Sequence, residues 1–576
     1  MNRLISTTLC LLALAIPLHA AEHRVAVVPV EFSDVSFQDK TINVDKKVAR
    51  AKEYFNDQFS PYRSFRFDVL PTVKLSRAQS WYGANSTTRK DERIDQLVRD
   101  ACLLLSGDMS VYDNDGDGII DNICIITSGG NEADGDGVDC IWPQQGFLNE
   151  RGGTASVSGK TVDCFTVCSE KAGLGTFCHE FAHSFGLQDL YDTDGKGSGG
   201  ESSGVWGSLS LMDKGSANDG GNTPPNFCAI ELEQLGIGKQ LPLVYGYNTL
   251  RPVGSSKEYI RIDSDTEGEY FLLECRDNKG WDTCAGGSGL LIYHIDRSEN
   301  DSWYSDYFNR NLSASERWQN NQVNCRPDHQ CAIILAATPG TDDISRIFFP
   351  QPGKTIFGAE TDPAFRYWNG NTATQIINDI TSSADGSVIF SLIIPIVLNE
   401  MSVFQDAVIL NWTTGSSLVV NECEVSWQEE GNQSSFGRHK TKALKHSEEH
   451  YSATLEGLTP ATAYKITIKA ICSDGTVHSK TDSFTTKSLQ KNARPFIYLR
   501  TVNRNDDGSL ARGEKLPLRV YNVQNADAVV EWFFDEKPIV PGSDGFWHIT
   551  YSGTLKAKVR FPDGSTEVLV KELTVR

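Results

Sequence analysis

Residues 179–183 read His-Glu-Phe-Ala-His, and no other stretch of the 576-residue chain restricts its local fold as tightly. Residues four apart share one face of a helix, so His179 and His183 can meet one ion only if the stretch is helical. Two imidazoles at that spacing suit zinc. Glu180, beside the first histidine, suits a base that takes a proton from a metal-activated water. The pair needs a third ligand. In the following Ser184-Phe185-Gly186-Leu187-Gln188-Asp189, Gly186 marks a turn and the spacing returns Asp189 toward the ion. A carboxylate is acceptable chemistry for zinc. Asp192, Asp194 or a carboxylate from elsewhere are the alternatives.

A chain of this length exceeds one hydrophobic core, so about three to five domains are expected. Strands and helices mix through residue 240. Residues 24–32 read as a buried strand, 44–59 and 91–105 as helices, 123–127 as a strand, and 176–185 as a short helix with Thr176 as its N-cap. Residues 22–240 are therefore taken as an α+β catalytic domain. Residues 241–395 turn strand-rich, with 269–274 and 289–294 the clearest strands. Within them, 298–321 is a polar stretch dotted with aromatics, read as a packed surface loop with a substrate-facing loop as the alternative. Residues 396–488 alternate strands and turns. Their Leu458-Thr459-Pro460-Ala461-Thr462-Ala463-Tyr464 resembles the tyrosine corner of fibronectin type III domains. Residues 489–576 read as a further immunoglobulin-like sandwich.

Met1-Asn2-Arg3, an apolar run from Leu4 to Leu18 and His19-Ala20-Ala21 read as a signal peptide over residues 1–21. No later stretch has the ~18 consecutive apolar residues of a membrane span. An exported chain is expected, whether secreted, periplasmic or cell-surface, and a monomer. The formal net charge of −21 argues against nucleic acid as a partner, since phosphate would be repelled. Fourteen cysteines suit export. Cys275 with Cys284, and Cys325 with Cys331, are expected as local disulfides from spacing alone.

Acidic loops point to a second metal. Asp113, Asp115, Asp117 and Asp121 alternate through Asp113-Asn114-Asp115-Gly116-Asp117-Gly118-Ile119-Ile120-Asp121, the first part of a calcium loop. The closing glutamate is missing, since Cys124 stands there. Asp134, Asp136 and Asp139 form a looser cluster, and Asp192 with Asp194 could form another.

The run His179 to Asp194 resembles the zinc motif of the immune inhibitor A-type secreted peptidases. So do residues 25–34, Ile141-Trp142-Pro143, and 269–282 with 289–296. The likeness covers residues 24–395. It implies a metzincin-like catalytic domain and a zinc endopeptidase acting on protein or glycoprotein substrates. Met212, in Trp206-Gly207-Ser208-Leu209-Ser210-Leu211-Met212-Asp213, resembles the methionine of the turn beneath the metal in metzincins. Two departures stand out. Family members commonly carry a pro-segment and none is read here, and Asp189 stands where metzincins place a histidine. A surface adhesin or glycan-binding protein with a structural metal site is the alternative from another class.

Overall fold

The computed structural model describes residues 21–576 except 88, 265, 416–417, 431–438, 474, 489–493, 498–508, 517, 519, 522, 524–526 and 543–545. The expected signal peptide, Ala21 apart, lies outside the described residues. Two compact units are present. One runs to Ala373 and includes Ile377–Leu392; the other comprises Thr374–Ile376 and Ile393–Arg576.

The first unit is organised by a mixed sheet. Its main strands are β1 (Ala21–Glu31), β2 (Arg63–Val69), β3 (Ile123–Thr127), β4 (Gln144–Phe147) and β5 (Cys164–Ser169), and the short strand Val73–Lys74 also pairs with β1. Their spatial order is β2-β1-β3-β5-β4. The first four are mutually parallel, and β4 runs antiparallel along the edge of β5. A parallel strand covered on both faces reads as a continuous apolar run, which is why residues 24–32 show no polar alternation. Val25 and Val27 enter one core, whereas Ala26, Val28 and Val30 enter the other.

Helices α1 (Lys47–Phe59) and α3 (Leu174–His183) join the first core, and α2 (Ile94–Leu104) joins the second. Val48, Ala51, Phe55 and Phe59 recur at helix spacing and are buried. Phe55 meets Phe181 of α3 edge-on, with ring centroids 4.9 Å apart. Each such buried ring contributes about 1.5–3 kcal/mol relative to exposure. The helix carrying His179 and His183 is thereby pinned to the sheet.

Two expected boundaries shift. Asp91 does not start α2. It is buried with φ 43°, and its carboxylate accepts the Trp142 N–H at 2.8 Å. Thr176 lies inside α3, whose N-cap is Gly173. At position 173 a Cβ would meet the Gly221 backbone at 2.9 Å, so close packing decides the residue there.

Beyond residue 236 the first unit is strand-rich. Following helix α4 (Ala229–Leu235), strands β6 (Glu269–Arg276) and β7 (Gly289–Asp296) pair antiparallel. Tyr270, Leu272, Leu291 and Tyr293 share a core with α1 and α3, while Phe271, Leu273, Leu290 and Ile292 face the opposite layer. No disulfide is formed among the described residues, which corrects both expected pairs. The thiols face different partners. Cys275 donates to the Gly386 carbonyl at 3.2 Å, and Cys284 closes a separate 3-10 turn over Gly280–Cys284. Cys325 Sγ lies 3.2 Å from Thr193 Oγ1, whereas Cys331 is buried in the first core.

In the second unit, Ile396–Val403, Ala407–Thr414, His450–Glu456 and Leu444–Lys445 form one four-stranded sheet. His439–Lys442, Val420–Glu429, Ala463–Cys472 and Val477–Thr485 form another. Leu410, Trp412, Tyr451, Ile466 and Ile468 fill their common core. The Tyr464 hydroxyl accepts the Thr459 N–H at 2.8 Å and donates to Glu429 at 3.1 Å. A further sheet orders Lys537–Ile539, Val529–Phe534, Gly553–Arg560 and Thr566–Leu573 over its own core. Among the described residues no helix is long and apolar enough to cross a membrane.

Candidate metal centre

Helix α3 puts His179 and His183 on one face, with ring centroids 4.8 Å apart and the rings at 87°. Each ring is oriented by a backbone carbonyl. His179 Nδ1 donates to Leu211 at 2.9 Å, and His183 Nδ1 donates to Leu187 at 2.8 Å. A carbonyl accepts only, so both protons sit on Nδ1 and both Nε2 lone pairs face outward. This is how ligating histidines are held elsewhere. Gly186, at φ +87°, supplies the left-handed turn that stops the helix and brings Leu187 back to His183.

The same turn delivers Asp189. Its Oδ1 lies 3.1 Å from His179 Nε2 and 3.3 Å from His183 Nε2. That oxygen is buried and receives no hydrogen bond. Two imidazole nitrogens and a carboxylate oxygen thus converge within reach of one ion. Burial pulls the His179 imidazolium down, yet the Asp189 carboxylate overrides it and lifts the pKa to about 9. Burial opposes ionisation of Asp189 as well, and the two imidazoles hold it well below the usual carboxylate range. Two imidazoles and a carboxylate oxygen form a donor set that fits zinc.

Glu180 follows His179 on α3. Burial raises its carboxyl above the usual range, while the two histidines and the Gln145 amide of edge strand β4 pull the other way. Met212 is fully buried. Its carbonyl accepts the Leu190 N–H at 2.8 Å, and its own N–H donates to Glu231 at 3.0 Å. The turn at residues 209–213 therefore holds both His179, through Leu211, and the chain just after Asp189, through Leu190. Arg276, fully buried, supports this turn from β6. It donates to the Leu209 carbonyl at 3.1 Å and pairs with Glu274 and Asp282.

The alternative third ligands turn elsewhere. Asp192 accepts the N–H groups of Asp194, Gly195 and Ser202, and Asp194 accepts the Ser198 hydroxyl. Three residues that the motif did not signal stand at the centre. Tyr191 stacks on His179 with centroids 6.3 Å apart. Gln145 donates its backbone N–H to Glu180. Asn321 reaches Asp189 from 132 positions away. Gln145 and Asn321 belong to no local pattern, so only the fold could bring them in.

The acidic loop behaves differently. Asp113, Asp115 and Asp117 gather, but Asp113 already accepts the amides of Gly116 and Gly118 and the Lys160 ammonium at 2.6 Å. Asp121 is turned to Asn114, whose amide and side chain both donate to it. These carboxylates are satisfied from within the chain, and the geometry does not require the expected calcium. Asp134 and Asp136 are likewise engaged by Asn131.

Residues 26–236 match the model of the immune inhibitor A peptidase M6 catalytic domain. That stretch is similar to immune inhibitor A peptidases. The pre-pro-metalloprotease PrtV of Vibrio cholerae serotype O1 is 29% identical over 233 residues, 34% of this chain and 25% of that protein. Immune inhibitor A of Bacillus thuringiensis subsp. alesti is 30% identical over 215 residues, 31% of each chain. The match thus spans between a quarter and a third of these relatives' length. The solved fn3 domain of human collagen alpha-1(XX) chain aligns with 17% of this chain and 83% of its own at 20% identity, with a TM-score of 0.14.

Proposed function

We propose that this chain is an exported zinc endopeptidase cleaving protein or glycoprotein substrates, with His179, His183 and Asp189 as ligands and Glu180 as general base. The observation that carries the reading is the convergence of two Nε2 atoms on a buried, unpartnered Asp189 oxygen. Zinc, when bound, polarises a peptide carbonyl and lowers the pKa of water toward neutrality. The chain's own residues do the rest. Leu211 and Leu187 fix the two rings. Glu180 takes the proton from the attacking water and returns it to the leaving amine. Its raised pKa suits a group that must both accept and release a proton.

The domain would be metzincin-like, with the turn at Met212 under the metal. The second unit is read as a fibronectin type III-like sandwich, supported by the Tyr464 corner, followed by an immunoglobulin-like one. Hydrolysis of casein by purified protein, with chelator and then with zinc restored, tests the function. Loss with chelator and recovery with zinc are expected. Cleavage that persists without metal would refute it.

A further inference from the structure

We infer that Asn321, outside the family-matched stretch, is a positioning residue for the metal centre: its side-chain amide selects which oxygen of Asp189 faces the metal. The inference rests on the zinc reading above. Asn321 Nδ2 donates to Asp189 Oδ2 at 2.7 Å, and Asn321 Oδ1 accepts the Asp189 N–H at 2.7 Å. The amide therefore grips Asp189 at both ends. It covers Oδ2 while Oδ1 faces the two histidines, and the Tyr191 hydroxyl also reaches the carboxylate. A carboxylate otherwise rotates freely and can present either oxygen or both. A carboxylate held this way would offer zinc a single, fixed ligand oxygen.

The grip is itself held. Asn321 sits at φ 53°, a left-handed conformation that asparagine tolerates, just after helix Ala314–Gln319 ends. Trp318 in that helix is buried and donates to the Asp296 carbonyl at 2.8 Å. The Asn321 carbonyl accepts the Thr193 hydroxyl at 2.8 Å. Asn324 donates to the Leu190 carbonyl at 2.8 Å, on the other side of Asp189. The stretch after Ser298 is thus a wall of the metal centre, and the working peptidase unit extends beyond residue 236. A chain cut at the end of the family match would keep His179, His183 and Asp189 but lose the group that orients the third.

Asn321→Gly removes the amide while tolerating the positive φ. Zinc affinity, measured by competition with a chromophoric chelator, should fall about 10–100-fold, the usual effect of losing a group that orients a ligand. The visible spectrum of the cobalt-loaded protein should shift, and kcat should fall with KM little changed. Thr193→Val, close in volume, should move zinc affinity the same way by a smaller factor, and it serves if the glycine variant does not fold. Gln319→Ala, exposed on the same helix, should change nothing. Parent-like zinc affinity and cobalt spectrum in both Asn321→Gly and Thr193→Val would overturn the inference alone. A parent chain that binds no zinc would instead overturn the function it rests on.

Discussion

Two turns of the first unit that the sequence offers as metal sites differ as chemistry. The turn at 186–189 brings one carboxylate oxygen against two imidazole nitrogens and leaves it without a donor. The loop at 113–121 gathers more carboxylates, yet backbone amides, Asn114 and Lys160 answer them. Carboxylate count does not mark a metal site. Donor atoms held rigidly, converging and unsatisfied, do so, because a buried lone pair without a partner is costly unless a cation completes it.

Four substitutions probe that difference, from the largest effect down. His183→Ala should abolish stoichiometric zinc binding, read by elemental analysis, and reduce turnover to background. Glu180→Gln should retain zinc while turnover falls about 10²–10⁴-fold, the usual share of a general base. Arg276→Met leaves Glu274 and Asp282 buried without their cation. Stability to denaturant should drop by about 3–5 kcal/mol, the usual penalty for breaking a buried pair from one side. Asp113→Asn should alter neither zinc content nor turnover, and added calcium should not shift the melting temperature of parent or variant. A calcium-dependent shift lost in Asp113→Asn would erase the contrast between the two turns.

The ligand helix was readable because its constraint is local. Four-residue spacing sets His179 and His183, and a glycine turn three residues on sets Asp189. The buried strands read at 24–32 and 269–274 were readable for the same reason, as short apolar runs with clear ends. What lay out of reach depends on tertiary approach. Asn321 is 132 residues from its partner, and nothing in its neighbours announces it. Arg276 looks like an ordinary strand-end charge until Leu209 and Asp282 close around it. Thiol pairing misled for a related reason. Closeness along the chain does not say which way Cys325 and Cys331 point, and the fold turns the first toward Thr193.

The central claim is that this donor set makes a working catalyst in which Glu180 moves the proton. Zinc content and casein hydrolysis measured on the same preparations of parent and Glu180→Gln test it most directly. Equal, stoichiometric zinc in both, with cleavage in the parent alone, is the predicted result. Equal zinc with equal cleavage would contradict it.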